Sequence, residues 1–261
     1  MPEKTALVLS AGGIFGAYQV GAWKELATCF RPDLVVGTSA GALNGWAIAG
    51  ACPPEELIRY WMSDSAATFL TLRLPLRPWR RLFDPAVFSS RVQAFFSAFR
   101  PQIPFGAVLT DLLRLRPRLV QSPDVTWEHL AAACSIPVAL PAVRIDGRLY
   151  VDGGLLSVLP LWAAAEMGAS RAIAVNTLPE LPSRILRAGV RAIRWISPKA
   201  PAPGALQVIS IAPAGPLGTL SESVRWERRA IERWIAQGAE DARRVIASGL
   251  TGRDFPQRVL Q

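Results

Sequence analysis

A chain of 261 residues, 51% hydrophobic and 19% charged, is long enough for one sizeable α/β domain. No linker-like shift in composition divides it, so a single domain over 1–261 is expected, with its core over about 4–250. The formal charge of +9 reflects an anionic partner, nucleic acid or an anionic membrane surface, or simply a basic, arginine-rich proteome. Nucleic acid is not expected, because zinc-finger spacing and aromatic-basic RNA-binding motifs are both missing. Cys29, Cys52 and Cys134 are odd in number and widely spaced in apolar segments, which suits reduced core thiols in a cytoplasmic protein rather than disulfides. A single histidine leaves no metal cluster to expect, and no cofactor is implied.

Thr5 to Leu9 reads as a buried strand, followed by the glycine loop Ser10 to Gly16 and a helix to about Thr28. The charge-free run Thr5 to Tyr18 resembles the apolar stretch of a signal peptide, but Gly12, Gly13 and Gly16 and the lack of a small-x-small cleavage site favour strand, loop and helix. The spacing Gly-x-Gly-x-x-Gly is absent and no acidic residue follows about 20 residues on, which argues against a dinucleotide site. Amides concentrated at a helix amino end suit an oxyanion instead, and Gly12, Gly13 and Ile14 are the candidate donors. Next, the β-branched run Val35-Val36 enters Gly37-Thr38-Ser39-Ala40-Gly41 and an Ala-rich helix to about Gly50. Gly-x-Ser-x-Gly at such a junction is a nucleophile elbow that exposes Ser39, or else an ordinary strand-to-helix turn.

Glu55 to Met62 predicts a helix with proline near its start. Residues 65–105 mix aromatic and apolar side chains with Arg73, Arg77, Arg80 and Arg81 and end in a Phe-rich helix around Val87 to Phe99. This stretch is either a lid or membrane-facing insertion, or a loop and helix packed over the core. Gly106 to Arg114 suits a short segment and helix, and Arg118 to Val120 a strand. The longest apolar run, Leu130 to Val143, carries Pro137 and Pro141 and is too short to span a membrane. Asp146-Gly147 between short apolar runs predicts a hairpin, which puts Asp152 at the end of its second strand beside Gly153 and Gly154. A Ser-His-Asp triad would need His129, which sits on a predicted helix and reads as a structural or surface residue.

Further on, a helix ends near Gly168 and Ala172 to Asn176 is a buried strand. Ser183 to Ser197 places Arg184, Arg187, Arg191 and Arg194 along one helix face, suited to anionic lipid or to solvent. Gln207 to Ile211 is a last strand, and Ser221 to Ser248 a long charged helix.

Leu7 to Gly13, Gly16 to Gly21, Gly37 to Gly41 and Asp152-Gly153-Gly154, the last preceded by Ile136-Pro137, Pro141-Ala142-Val143 and Asp146-Gly147, together resemble the patatin-like phospholipases. The resemblance implies a three-layer α/β/α fold with a mainly parallel central sheet flanked by helices. It also implies a Ser39–Asp152 dyad with Gly12, Gly13 and Ile14 as oxyanion loop, supported by Gly16, Gly37, Gly41, Gly153 and Gly154. The implied substrate is a lipid ester, phospholipid or lysophospholipid; the basic and aromatic stretches agree with that class and suit peripheral contact with an anionic membrane surface. Two positions depart from the family pattern: Ala11 stands where a third glycine is usual, and Phe15 where an arginine is usual. An acyltransferase using the same dyad and a lipid-binding or regulatory protein are the alternatives.

Overall fold

Residues 3–63, 84–137, 139–179, 202–219 and 221–249 are described by the computed structural model. Apolar runs rich in Val, Leu and Ala form the inner strands β1 (Thr5–Leu9), β2 (Leu34–Thr38) and β3 (Phe105–Asp111). β4 (Arg116–Gln121), β5 (Val143–Ile145), β6 (Arg148–Asp152), β7 (Arg171–Val175) and β8 (Gln207–Ile211) complete an eight-stranded sheet. Its order is β5-β6-β3-β2-β1-β7-β8, with β4 paired to β3. The pairs β3/β2, β2/β1, β1/β7 and β7/β8 are parallel, whereas β3/β4, β3/β6 and β5/β6 are antiparallel. The expected mainly parallel sheet is therefore present, with its antiparallel part confined to one side.

Alternation along the strands divides the core. Leu7, Leu9, Val35, Phe105 and Leu109 face one layer of helices, while Ala6, Val8, Leu34, Val36 and Val108 face Trp162 and its neighbours. The first layer holds α1 (Gly16–Leu26), α2 (Ala40–Ala49), α3 (Pro54–Trp61), α4 (Pro85–Ala98), α5 (Trp127–Ala133) and α7 (Arg228–Ala247), and the second holds α6 (Leu161–Glu166). α1 and α7 cross with almost no gap. A Cβ on Gly21 would fall 1.9 Å from the Ile235 carbonyl oxygen, and one on Gly238 would fall 2.0 Å from that of Tyr18. Tyr18 Oη donates to Asp241 Oδ2 across the same crossing at 2.7 Å, and Arg244 pairs with that carboxylate from the solvent side.

Three local expectations need correction. Residues 105–111 form a strand rather than a helix, because every side chain from Phe105 to Asp111 is buried between strand neighbours on both edges. α7 starts at Arg228, later than expected, because residues 222–224 form a separate 3-10 turn and Arg225 is extended. Cys52 and Cys134 are buried, but Cys29 is exposed. α4 bears out the Phe-rich helix and buries Phe88, Val92 and Phe95. The arginine-rich part of the lid candidate, residues 64–83, and the arginine-striped segment Ser183 to Ser197 lie outside the described residues.

Candidate active site

One edge of β3 is shared by two strands. β4 occupies the other edge along its whole length, so β2, paired to residues 105–108, and β6, paired to 109–111, follow each other on the same side. Thr38 lies opposite Val108 and Asp152 opposite Leu109. The end of β2 thus meets the end of β6, which brings Ser39 and Asp152 together.

Ser39 Oγ donates to Asp152 Oδ2 at 2.6 Å, and the other carboxylate oxygen accepts from the Gly154 amide at 2.6 Å. Ser39 has φ 55° and ψ −131°, a left-handed conformation that costs a non-glycine residue about 1–3 kcal/mol. The surrounding structure imposes it. A Cβ on Gly37 would lie 2.0 Å from the Gly41 carbonyl oxygen, and one on Gly41 would lie 2.5 Å from those of Leu9 and Ser10, so only glycines let the turn close this tightly. On the Asp152 side, a Cβ on Gly153 would strike Val108 O at 2.1 Å, and one on Gly154 would strike the Ala11 side chain at 2.7 Å. Both Ser39 and Asp152 are buried. Burial pushes the Asp152 carboxyl up to about 6, against the lowering effect of the bonds from Ser39 and Gly154.

The glycine loop leaves β1 as a 3-10 turn, Gly13–Phe15. Among the described residues the Gly12, Gly13 and Ile14 amides are left without hydrogen bonds, and Gly13 adopts φ 55°. Gly13 and Ile14 line a cavity with Ser39; Gly12 caps the turn behind them. The Ala11 amide, in contrast, is committed to Val158 O at 2.8 Å. Phe15 does not line the cavity. It is 1% exposed and meets the Trp234 ring edge-on, with centroids 4.9 Å apart.

That cavity, about 640 Å³ including its open mouth, is almost wholly apolar, with Leu43, Tyr60, Trp61, Phe88, Phe95 and Ile136 among its walls. Cys134 is also part of its lining, and burial, with the Asp152 charge, raises its thiol well above the usual range.

Four polar residues that sequence reasoning passed over hold the loop. Thr177 donates its amide to Ser10 Oγ at 2.9 Å and its hydroxyl to Ala11 O at 2.7 Å. Gln19 Nε2 donates to Ser10 O at 2.7 Å, and Asn44 Nδ2 donates to Gly16 O at 3.0 Å and to Gln19 Oε1 at 2.9 Å. Trp61 Nε1 closes the chain on Asn44 Oδ1 at 2.8 Å. Its ring also explains Gly16, where a Cβ would lie 2.9 Å from it. The visible clue to Gln19 and Asn44 is a polar residue inside an otherwise apolar helix, since a buried amide needs partners. His129 lies elsewhere: its Nδ1 accepts from the Thr126 amide at 3.1 Å and caps α5. Among the described residues no group of His, Cys, Asp or Glu is arranged to hold a metal ion, and no helix is long and apolar enough to cross a membrane.

The chain is 30% identical over 180 residues to patatin-like phospholipase domain-containing protein 7 of Rattus norvegicus, covering 66% of this chain and 13% of the relative. It is 29% identical over 187 residues to an uncharacterized NTE family protein of Mycobacterium bovis, covering 66% of this chain and 49% of that protein. Among solved structures, VipD from Legionella pneumophila superposes with a TM-score of 0.52 at 13% identity, over 95% of this chain and 67% of that one, which is a likeness of fold. A profile of the patatin-like phospholipase family matches residues 7–165, more than half of the chain. The chain belongs to the patatin-like phospholipase family.

Proposed function

We propose that the protein is a serine acyl hydrolase that cleaves a carboxylic ester of a phospholipid or lysophospholipid, with Ser39 as nucleophile and Asp152 as its base. The observation that carries this reading is the 2.6 Å hydrogen bond from Ser39 Oγ to Asp152 Oδ2 beside an apolar cavity. As Ser39 Oγ attacks the ester carbonyl carbon, its proton passes to Asp152, and the Gly12, Gly13 and Ile14 amides stabilise the negative carbonyl oxygen. Collapse of the tetrahedral intermediate expels the alcohol, which takes the proton from Asp152 and leaves an acyl group on Ser39. Water then attacks the acyl-enzyme and gives a proton to Asp152; as the second tetrahedral intermediate collapses, the bond to Ser39 Oγ breaks, Asp152 returns that proton to Ser39 Oγ, and the fatty acid is released. An ordinary carboxylate is a weak base. Desolvation, which pushes Asp152 up to about 6, brings it closer to the pH at which it has to work. The apolar walls suit an acyl chain, since they offer it dispersion contacts and removal from water.

Fatty-acid release from lysophosphatidylcholine and phosphatidylglycerol, measured for the parent and for Ser39→Ala, tests the reading. Release by the parent and none by the variant is expected. Adding a long-chain alcohol to the same assay distinguishes transfer from hydrolysis, because an acyltransferase would form the new ester at the expense of free acid. A folded parent that releases no acid and forms no ester would contradict both.

A further inference from the structure

β3 and β4 continue past the dyad as a hairpin. β3 runs parallel to β2, and Asp111 stands three residues beyond Val108, the partner of Thr38. At about 3.3 Å per residue the hairpin turn, residues 112–115, projects on the order of 10 Å or more beyond Ser39 at the same end of the sheet. At its tip Leu113 is 76% exposed, alone in this among the large apolar residues described.

Behind the tip, Arg114, Arg116, Arg118 and Arg148 line a cleft of about 890 Å³, counted with its mouth, together with Asp111 and Glu166. Asp111 is already neutralised. Its Oδ1 accepts from the Arg114 amide at 3.0 Å and its Oδ2 from Arg114 Nη1 at 3.1 Å. Burial would raise the Asp111 carboxyl, yet the Arg114 bonds and the Arg114 and Arg148 charges hold it below the usual carboxylate range. Arg116, Arg118 and Arg148 make no ion pair among the described residues. Arginines on an edge strand also deter pairing with other chains, but that role gives no reason for an exposed leucine at the tip.

We propose that the β3–β4 hairpin is the docking edge for an anionic phospholipid bilayer, with Leu113 entering the headgroup boundary and the arginine cleft taking lipid phosphate. Apolar tip and cationic collar are complementary to such a surface, and guanidinium groups bind phosphate oxygens in pairs. The hairpin lies at the same end of the sheet as Ser39, and as a means of bringing that end to the source of substrate the inference rests on the lipid-ester reading above.

Sedimentation of the full chain with vesicles tests it, using phosphatidylcholine alone and phosphatidylcholine mixed with phosphatidylglycerol. Preferential binding to the anionic vesicles, weakened by salt, is expected. Arg116→Glu combined with Arg118→Glu should lower that binding by at least about tenfold, since each basic residue near an anionic surface contributes severalfold, and Leu113→Asp should lower it as well. Both variants should keep the parent's circular dichroism and its rate on a soluble short-chain ester; Arg116→Gln with Arg118→Gln serves if charge reversal impairs folding. Equal binding to neutral vesicles, or undiminished binding by the variants, would overturn the proposal. Saturable binding of inorganic phosphate without vesicle binding would overturn it too, marking the cleft as a small-anion site. Vesicle binding as expected, with no hydrolysis of lipid or soluble ester, would leave the docking edge standing and remove the hydrolase reading.

Discussion

Asp152 stands opposite Leu109 on the same edge of β3 where, one residue earlier, Val108 is opposite Thr38. Ser39 and Asp152 are therefore brought together by a strand that contributes neither residue. Gly153 sits at the junction, where a Cβ would lie 2.1 Å from Val108 O and 2.3 Å from Thr38 Oγ1. Gly153→Ala should force β2 and β6 apart, and a displacement of about 1 Å costs roughly a hundredfold in rate. Steady-state kinetics on a soluble ester check this, with kcat expected to fall far more than KM rises.

Asp152 makes activity and stability move oppositely with pH. Its folded value, about 6, lies above the ordinary 3.8, so between these values the folded chain binds more proton than the unfolded one. The stability contributed by the neutral carboxyl is present below about pH 4 and is lost as pH rises through about 6. The base is competent only when ionised, so kcat/KM should rise to a plateau above about pH 6. Asp152→Asn should be inactive but more stable than the parent at neutral pH, by on the order of 1–3 kcal/mol. That margin should vanish near pH 4 in urea titrations.

Phe15 occupies the position where the family usually has arginine, and it packs against Trp234 at 1% exposure. Phe15→Arg should not restore a more active loop. It buries an unpaired guanidinium under α7, at a cost of about 3–5 kcal/mol, read as a lower urea midpoint. Undiminished stability together with a faster rate would mean that this position reaches the site.

The α1–α7 crossing should tolerate no added methyl. In Gly238→Ala the new Cβ would approach Tyr18 O at 2.0 Å, so a helix must shift at a cost of about 1–3 kcal/mol. Alanine's better helix propensity is worth only about 1 kcal/mol. Thermal unfolding should show a net fall in Tm.

What was legible in the sequence follows from how locally each feature is encoded. Gly37 to Gly41 and Asp146 to Gly154 carry their turn chemistry within a few residues, so the elbow, the hairpin and the positions of Ser39 and Asp152 could be read directly. β3 could not. Leu109, Leu112 and Leu113 satisfy helical spacing, and the segment is a strand because β2 and β6, distant in the chain, pair along one edge while β4 folds back along the other. The loop supports were hidden for the same reason: Gln19 and Asn44 are visible as polar residues in apolar helices, but Trp61 and Thr177 become their neighbours only through packing. Phe15 likewise takes its role from Trp234, near the other end of the chain.

The most direct test of the central claim is covalent labelling with a fluorophosphonate, followed by intact-mass and peptide analysis. One adduct, located on Ser39, is predicted for the parent, with none in Ser39→Ala and a sharply slower reaction in Asp152→Asn. A folded parent that stays unmodified, or an adduct on another residue that persists in Ser39→Ala, would contradict the assignment of Ser39 as nucleophile.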